Sequence, residues 1–188
     1  MQIPFLVTLK VIKALEDCGI NYLIGGSLGS SIHGIPRATL DADLVTNIDN
    51  IQVEHLVEKL QAEFIIDADM IYDAIKRRGC FNIIHLETMF KVDIFILKNN
   101  PYEIMEFTRR KPELISDPDT YVNVATPEDI ILNKLLWYKD GGGVSERQWE
   151  DAKGIVKVQG DYLDYQYLEY WAGILGLKEL LDRLKQEL

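Results

Sequence analysis

The residue types able to do chemistry gather between Gly25 and Asp43, written GGSLGSSIHGIPRATLDAD. Asp41 and Asp43 alternate with Leu40, Ala42 and Leu44, so a strand here puts two carboxylates on one face and the apolar residues on the other. Neighbouring carboxylates repel unless a cation lies between them, and oxygen-only ligation suits Mg²⁺, which keeps waters and binds substrate phosphates. Upstream, the apolar run Asn21-Tyr22-Leu23-Ile24 ends on paired glycines and reads as a buried strand entering a tight turn. Gly25 and Gly26 let the backbone approach a ligand closely. The spacing predicts a short helix from a capping Ser27 to His33, whose unpaired N–H groups would suit a phosphate. A glycine turn for phosphates beside a carboxylate pair for Mg²⁺ is a nucleotide-handling arrangement. The alternative is a plain glycine turn followed by two solvated aspartates.

The combination of GGS with a following D-x-D strand resembles the signature of the nucleotidyltransferase fold superfamily, the polymerase-beta-like group. Within it, GGSLGSSIHGIPRATLDADL is similar to the small prokaryotic branch of AbiEii-type toxins and minimal nucleotidyltransferases. That family carries a third carboxylate on a later strand, and Met89-Phe90-Lys91-Val92-Asp93-Ile94-Phe95-Ile96 offers Asp93. A lone aspartate in a nearly apolar strand is costly unless paired or metal-bound; a satisfied structural carboxylate is the other reading. Lys91, Asp93, Phe95 and Leu97 share its face. The helix containing Pro127-Glu128-Asp129-Ile130-Ile131 and Lys134 also resembles the family, as does Gln148-Trp149-Glu150-Asp151.

The resemblance implies transfer of a nucleoside monophosphate from an NTP to an acceptor hydroxyl: a small molecule, a protein or an RNA end. It implies Asp41, Asp43 and Asp93 as catalytic metal ligands for two Mg²⁺ ions, with Mn²⁺ as a substitute. Gly25, Gly26 and Ser27 would hold the β- and γ-phosphates, and Lys134 would stand near them with Asp151 as its structural partner. Arg37 and Thr39 approach the same site along the chain. Arg37 braces a phosphate or pairs with an aspartate, and the sequence leaves both open. Lys134 has a bland alternative as a surface lysine with a buried stem, and Arg147 with Asp151 as a simple i,i+4 pair. His33 is expected to make a structural hydrogen bond or to act in catalysis. A role in a toxin–antitoxin pair, with a cognate antitoxin as partner, follows only from the family. The competing reading is a catalytically inactive nucleotide-binding or protein-interaction module on the same fold. A phosphohydrolase would want histidine ligands beside the aspartates, and none is suitably spaced.

Composition narrows the classes further. The 188 residues are 47% hydrophobic and 27% charged, ordinary for a domain with a real core and with disorder expected only in the last few residues. The formal net charge of −10 argues against a non-specific nucleic-acid binder, whose affinity comes from counterion release. The basic clusters Arg77-Arg78 and Arg109-Arg110-Lys111 are short and read as solvated ends. Cys18 and Cys80 lack metal-ligand spacing and fit half-buried thiols in a reducing cytoplasm. The start MQIPFLVTLK reads as no signal peptide, and no run reaches membrane-spanning length.

The elements that must position these residues follow from periodicity. Helices are expected over 5–18, 53–60 (capped by Asp49 or Asn50, with Val53, Leu56, Val57 and Leu60 as one stripe) and 69–78, ending at Gly79. Residues 64–66 read as a strand, and 80–86 and 89–97 as a hairpin turning at Glu87-Thr88. A short helix at 101–107 precedes a loop with two short strands over 109–124. Thr126-Pro127-Glu128-Asp129 is a helix start, its helix running to Lys139 before the glycine joint 141–143. Ser145 with Gln148 reads as a capping box for a helix over 146–158, followed by helices over 162–175 and 177–188. Trp137, Trp149, Trp171, Tyr162, Tyr165, Tyr167 and Tyr170 lie at helical spacings there, read chiefly as core. The fold class expected is α/β (α+β), a nucleotidyltransferase-like mixed sheet flanked by helices, with a core over 1–125 and a C-terminal helical subdomain over 126–188.

Overall fold

The computed structural model describes residues 3–116 and 119–187. In chain order its elements are α1 (Ile3–Asp17), β1 (Tyr22–Ile24), α2 (Gly26–His33), β2 (Asp41–Thr46), α3 (Val53–Leu60), β3 (Phe64–Ile65), α4 (Ala68–Arg77), β4 (Cys80–His85) and β5 (Lys91–Ile96). There follow α5 (Pro101–Arg109), β6 (Lys111–Ser116), β7 (Thr120–Val124), α6 (Pro127–Asp140), α7 (Glu146–Gln159), a 3₁₀ turn at Gly160–Tyr162, α8 (Tyr165–Leu175) and α9 (Lys178–Gln186). The chain forms two compact units: one runs to Gly25 and resumes over Thr39–Val124, and the other joins Gly26–Ala38 to everything from Ala125 onward.

The first unit is built on a seven-stranded mixed sheet in the order β3-β4-β5-β2-β1-β7-β6. Its centre pairs β2 parallel to β5; β4 runs antiparallel to both of its neighbours, and β1 runs antiparallel to β2 but parallel to β7. Strict alternation decides which side is core: Ala42 and Leu44 of β2, Val92 and Ile94 of β5 and Ile83 of β4 have no exposed surface. The intervening residues, Asp41, Asp43, Lys91, Asp93 and Asn82, therefore share the other face. Leu40 does not join the apolar side as its spacing suggests. It precedes the strand and is 88% exposed. The segment after α5 is a sheet-extending hairpin, with Pro112 on the edge strand β6, the kind of strand to which proline is confined within sheets.

Several local expectations are corrected by who satisfies which backbone group. α3 takes Gln52 rather than Asp49 or Asn50 as its N-cap, without a side-chain cap bond; the Gln52 amide donates instead to the carbonyls of Cys18 and Gly19. Asp67 caps α4 by accepting from Met70 N, and Arg78, not Gly79, takes the left-handed position that ends it. The β4–β5 turn spans Leu86 to Phe90, with Met89 at φ 56°. Cys80 is exposed rather than half-buried. Arg77 pairs with Asp73, Arg78 donates to Leu97 O, and Arg110 stacks on Phe107, so each basic cluster contributes to local structure.

The second unit packs α6 against α7, sets α2 on both, and adds α8 and α9. Thr126 caps α6 as its sequence predicts, accepting from Asp129 N, with Pro127 in the first turn. The buried Asp129 carboxylate accepts from Thr126 Oγ1 at 2.7 Å and from the Tyr167 hydroxyl at 2.5 Å, fastening α8 to the start of α6. Ser145 makes no side-chain cap bond, so the expected capping box is absent there. The helix expected over 162–175 is broken at 163–164: Tyr162 ends the 3₁₀ turn, and Asp164 caps α8, accepting from Tyr167 N. The last helix ends at Gln186, and Leu188 lies outside the described residues, as do Met1 and Gln2 of the expected non-signal start. Trp149 and Trp171 are buried, whereas Trp137, Tyr162 and Tyr170 are exposed.

Two glycines in the second unit are dictated by geometry. Gly26 opens α2 at φ +53°, a conformation that L side chains rarely adopt. Gly34, just past α2, lies against α7 so closely that a Cβ would meet Ile155 N at 2.8 Å and the Gly154 carbonyl carbon at 3.0 Å. Those are backbone atoms, which cannot swing away. Gly34→Ala is expected to lower stability by about 1–3 kcal/mol through overpacking, read as a reduced midpoint in urea denaturation with an unchanged slope.

Candidate functional site

Candidate residues fall in both units. In the first, the register β2–β5 sets Asp43 opposite Asp93 and Asp41 opposite Lys91, and β4–β5 sets Asn82 opposite Asp93. Three strands thus line up Asn82, Asp93 and Asp43 in one row across the sheet face. Adjacent strands lie about 4.8 Å apart, and like charges directly opposite are destabilising without compensation. Compensation comes from the neighbouring row. Lys91 Nζ lies 2.5 Å from Asp93 Oδ2, and Asn82 Nδ2 donates to Asp93 Oδ1 at 3.2 Å. The hydrogen bond to Asp93, helped by the fields of Asp41 and Asp43, raises the Lys91 pKa above its ordinary value. Thr39 holds the first carboxylate, its hydroxyl lying 3.1 Å from Asp41 Oδ1 and 3.0 Å from Asp41 O. Gly25 N donates to Asp43 O at 3.0 Å, so the first glycine of the turn is sewn to the carboxylate strand.

The donor set, carboxylate oxygens on a rigid sheet, has the chemistry of an Mg²⁺ or Mn²⁺ site. As the side chains stand, no three carboxylate, imidazole or thiol groups among the described residues converge tightly enough to hold an ion between them. Asp93 is turned to Lys91 and Asn82. Cys80 stands on the same face, where partial desolvation, reinforced by the fields of Asp93 and Asp43, pushes its thiol up to about 11.

In the second unit, Ser27 sits inside the first turn of α2 rather than capping it, since the helix begins at Gly26. Its Oγ accepts from Arg37 Nη2 at 2.7 Å and from Arg147 Nη2 at 3.4 Å, which leaves its own proton to donate. Arg37 pairs with an aspartate, the second of its two readings: Nε meets Asp151 Oδ1 at 2.6 Å and Nη2 meets Oδ2 at 2.7 Å, a bidentate fork. Lys134 is 1% exposed, not a surface lysine, and its Nζ lies 2.8 Å from Asp151 Oδ2. Arg147 is therefore no simple i,i+4 partner of Asp151. Burial pushes the Asp151 pKa up, but the hydrogen bonds and fields of Arg37 and Lys134 outweigh it and leave it below the ordinary carboxylate value. His33 makes the structural contact of its two readings, its Nε2 lying 2.8 Å from Ala125 O while Gln159 donates to His33 O.

No family model matches the chain, and no curated protein matches it in sequence. Solved structures do. The solution structure of the antibiotic-resistance factor ANT(2'')-Ia superposes with a TM-score of 0.58 at 16% identity, covering 97% of both chains. A crystal structure of ANT(2")-Ia in complex with adenylyl-2"-tobramycin gives 0.58 at 14%, covering 90% of this chain and 95% of that one. The fold is that of the nucleotidyltransferases. An antigenic nucleotidyltransferase-like protein from Paracoccidioides brasiliensis matches with a TM-score of 0.54 at 15% identity over 94% and 90% of the two chains. The lincosamide antibiotic adenylyltransferase LnuA, lincomycin-bound, gives 0.50 at 12% over 84% and 98%. These likenesses carry the mixed sheet and its helices. No helix among the described residues is long and apolar enough to cross a membrane.

The partners of two site residues are not legible in the sequence. Lys91 was visible as a face-mate of Asp93 by period two, but its ammonium was given no partner. Arg147 reads locally as an i,i+4 partner of Asp151, and nothing in the sequence points it to Ser27, because that link spans 120 residues. Removing the acid at the centre of the buried cluster leaves two cations facing each other. Asp151→Ala is thus expected to cost about 3–5 kcal/mol in chemical denaturation. The unfolded chain binds a proton at Asp151 at higher pH than the folded chain does. The carboxylate's contribution is hence complete above the ordinary carboxylate range and is lost as pH falls through the lowered folded value. Melting temperature against pH, wild type against Asp151→Asn, should show the two curves converging only at the acid end.

Proposed function

We propose that the chain is a nucleotidyltransferase that moves a nucleoside monophosphate from an NTP to an acceptor hydroxyl. The observation that carries this reading is the parallel register that sets Asp43 opposite Asp93, with Asp41 on the same face. Carboxylates on neighbouring strand positions repel one another, so three of them gathered on this half-exposed face suit a cation-binding role. Asp41, steadied by Thr39, and Asp43 would hold a divalent cation, Mg²⁺ or Mn²⁺, which when bound neutralises phosphate charge and orients the NTP. Asp93 is the third carboxylate and would take the proton of the attacking hydroxyl as the new bond to the α-phosphorus forms and pyrophosphate leaves. In the second unit Ser27, oriented by Arg37 and Arg147, would donate to a phosphate beside the backbone N–H of Gly26, whereas the Gly25 N–H, expected to join them, is already given to Asp43 O. Arg37 and Lys134, both committed to Asp151, would serve that task by fixing Ser27 and α2 and by lending positive potential.

A small hydroxylated acceptor is the reading best supported. The structural neighbours include an enzyme caught with adenylyl-2"-tobramycin and one bound to lincomycin, and a net charge of −10 disfavours a polyanionic acceptor. The AbiEii-type branch, a cognate antitoxin and a cytoplasmic location rest on the sequence motif and composition alone.

Calorimetric titration of ATP, GTP, CTP and UTP with Mg²⁺ tests the reading before any acceptor is known. Binding of at least one NTP is expected, with its Mg²⁺-dependent part abolished in Asp41→Asn/Asp43→Asn. Transfer of α-labelled nucleotide to a panel of aminoglycosides and lincosamides would then sort the acceptors. No NTP binding by folded wild type would overturn the enzyme reading in favour of an interaction module.

A further inference from the structure

The carboxylate face of the first unit carries a cation of its own. Lys91 projects from the same face of β5 as Asp93, stands opposite Asp41 in the parallel register, and lies 2.5 Å from Asp93 Oδ2. The other Asp93 oxygen accepts from Asn82. Both oxygens of the third carboxylate are thus engaged by the protein, while Asp41 and Asp43 stand together on the adjoining strand. We infer that Lys91 takes the place of a second metal ion, so that this chain holds a single divalent cation, at Asp41 and Asp43, where the resemblance implies two. The inference rests on the nucleotidyl-transfer reading of that face.

Charge and desolvation both favour this arrangement. Three carboxylates with one ammonium leave a formal charge that one divalent ion balances. A second Mg²⁺ would have to shed tightly held water and displace a tethered ammonium already in contact. The ammonium, tethered to the same strand and held by its contact with Asp93, also supplies positive potential on that face without an ion to recruit. Lys91 is on this account a positioning residue: it acts on Asp93 and on the number of ions admitted, rather than on the nucleotide.

The test is the stoichiometry of Mn²⁺ binding, followed as loss of the free-ion electron paramagnetic resonance signal during titration of the purified chain. Wild type should bind a single Mn²⁺. Lys91→Met and Lys91→Gln should bind two, Lys91→Arg should stay at one, and Asp93→Asn should bind its single ion with affinity within about twofold of wild type. A second ion in wild type, a single ion in both folded neutral variants, or loss of the ion in Asp93→Asn would overturn the inference while leaving the metal-dependent reading intact. No Mn²⁺ bound by wild type would overturn both.

Discussion

Charge compensation on one sheet face is the constraint on which the first unit depends. The strands β2 and β5 bury one side completely, so every second residue is forced to the opposite side, and the parallel register decides which residues meet there. A slip of one residue would carry Asp43 and Asp93 into the core, at a cost no neighbouring apolar contact could offset. The hydrophobic backs of Ala42, Leu44, Val92 and Ile94 thus lock the carboxylates in place. Once locked, the carboxylates need positive charge, and Lys91 is the group the sheet itself provides.

The second unit solves the opposite problem. There a buried acid, Asp151, sits between a guanidinium and an ammonium, with Lys134 almost wholly removed from water. A buried ion pair gains little net stability against an apolar replacement, because desolvation consumes most of the Coulombic gain. What it does provide is orientation. The bidentate fork from Arg37 fixes the guanidinium plane, and the same guanidinium reaches Ser27. The close backbone approach at Gly34 and the contact of His33 with Ala125 O hold α2 to its neighbours in the unit. The hydroxyl in the first turn of α2 is therefore held by tertiary partners rather than by helix capping.

Identities of 12–16% to antibiotic nucleotidyltransferases, with most of each chain covered, show how little of the sequence such a sheet requires. The scaffold needs alternation, register and a few glycines, and it leaves acceptor recognition to other positions. Fold likeness alone therefore says less about chemistry than the placement of Asp41, Asp43 and Asp93 does.

The sequence by itself determined the strands that carry the carboxylates, the shared face of Lys91 and Asp93, the glycine turn and the Thr126 helix start, because period-two alternation, left-handed backbone and a proline-led cap are local physics. It misjudged Leu40, Ser145, Gly79 and the caps of α3, where groups distant in sequence or a neighbouring residue satisfied the backbone first. Only the tertiary structure decided that Asp43 faces Asp93 across a parallel pair, that Arg37 and Lys134 converge on Asp151, and that Arg147 reaches Ser27. Those pairings span tens to more than a hundred residues, and no local propensity encodes a partner at that distance; burial of the apolar faces selects it.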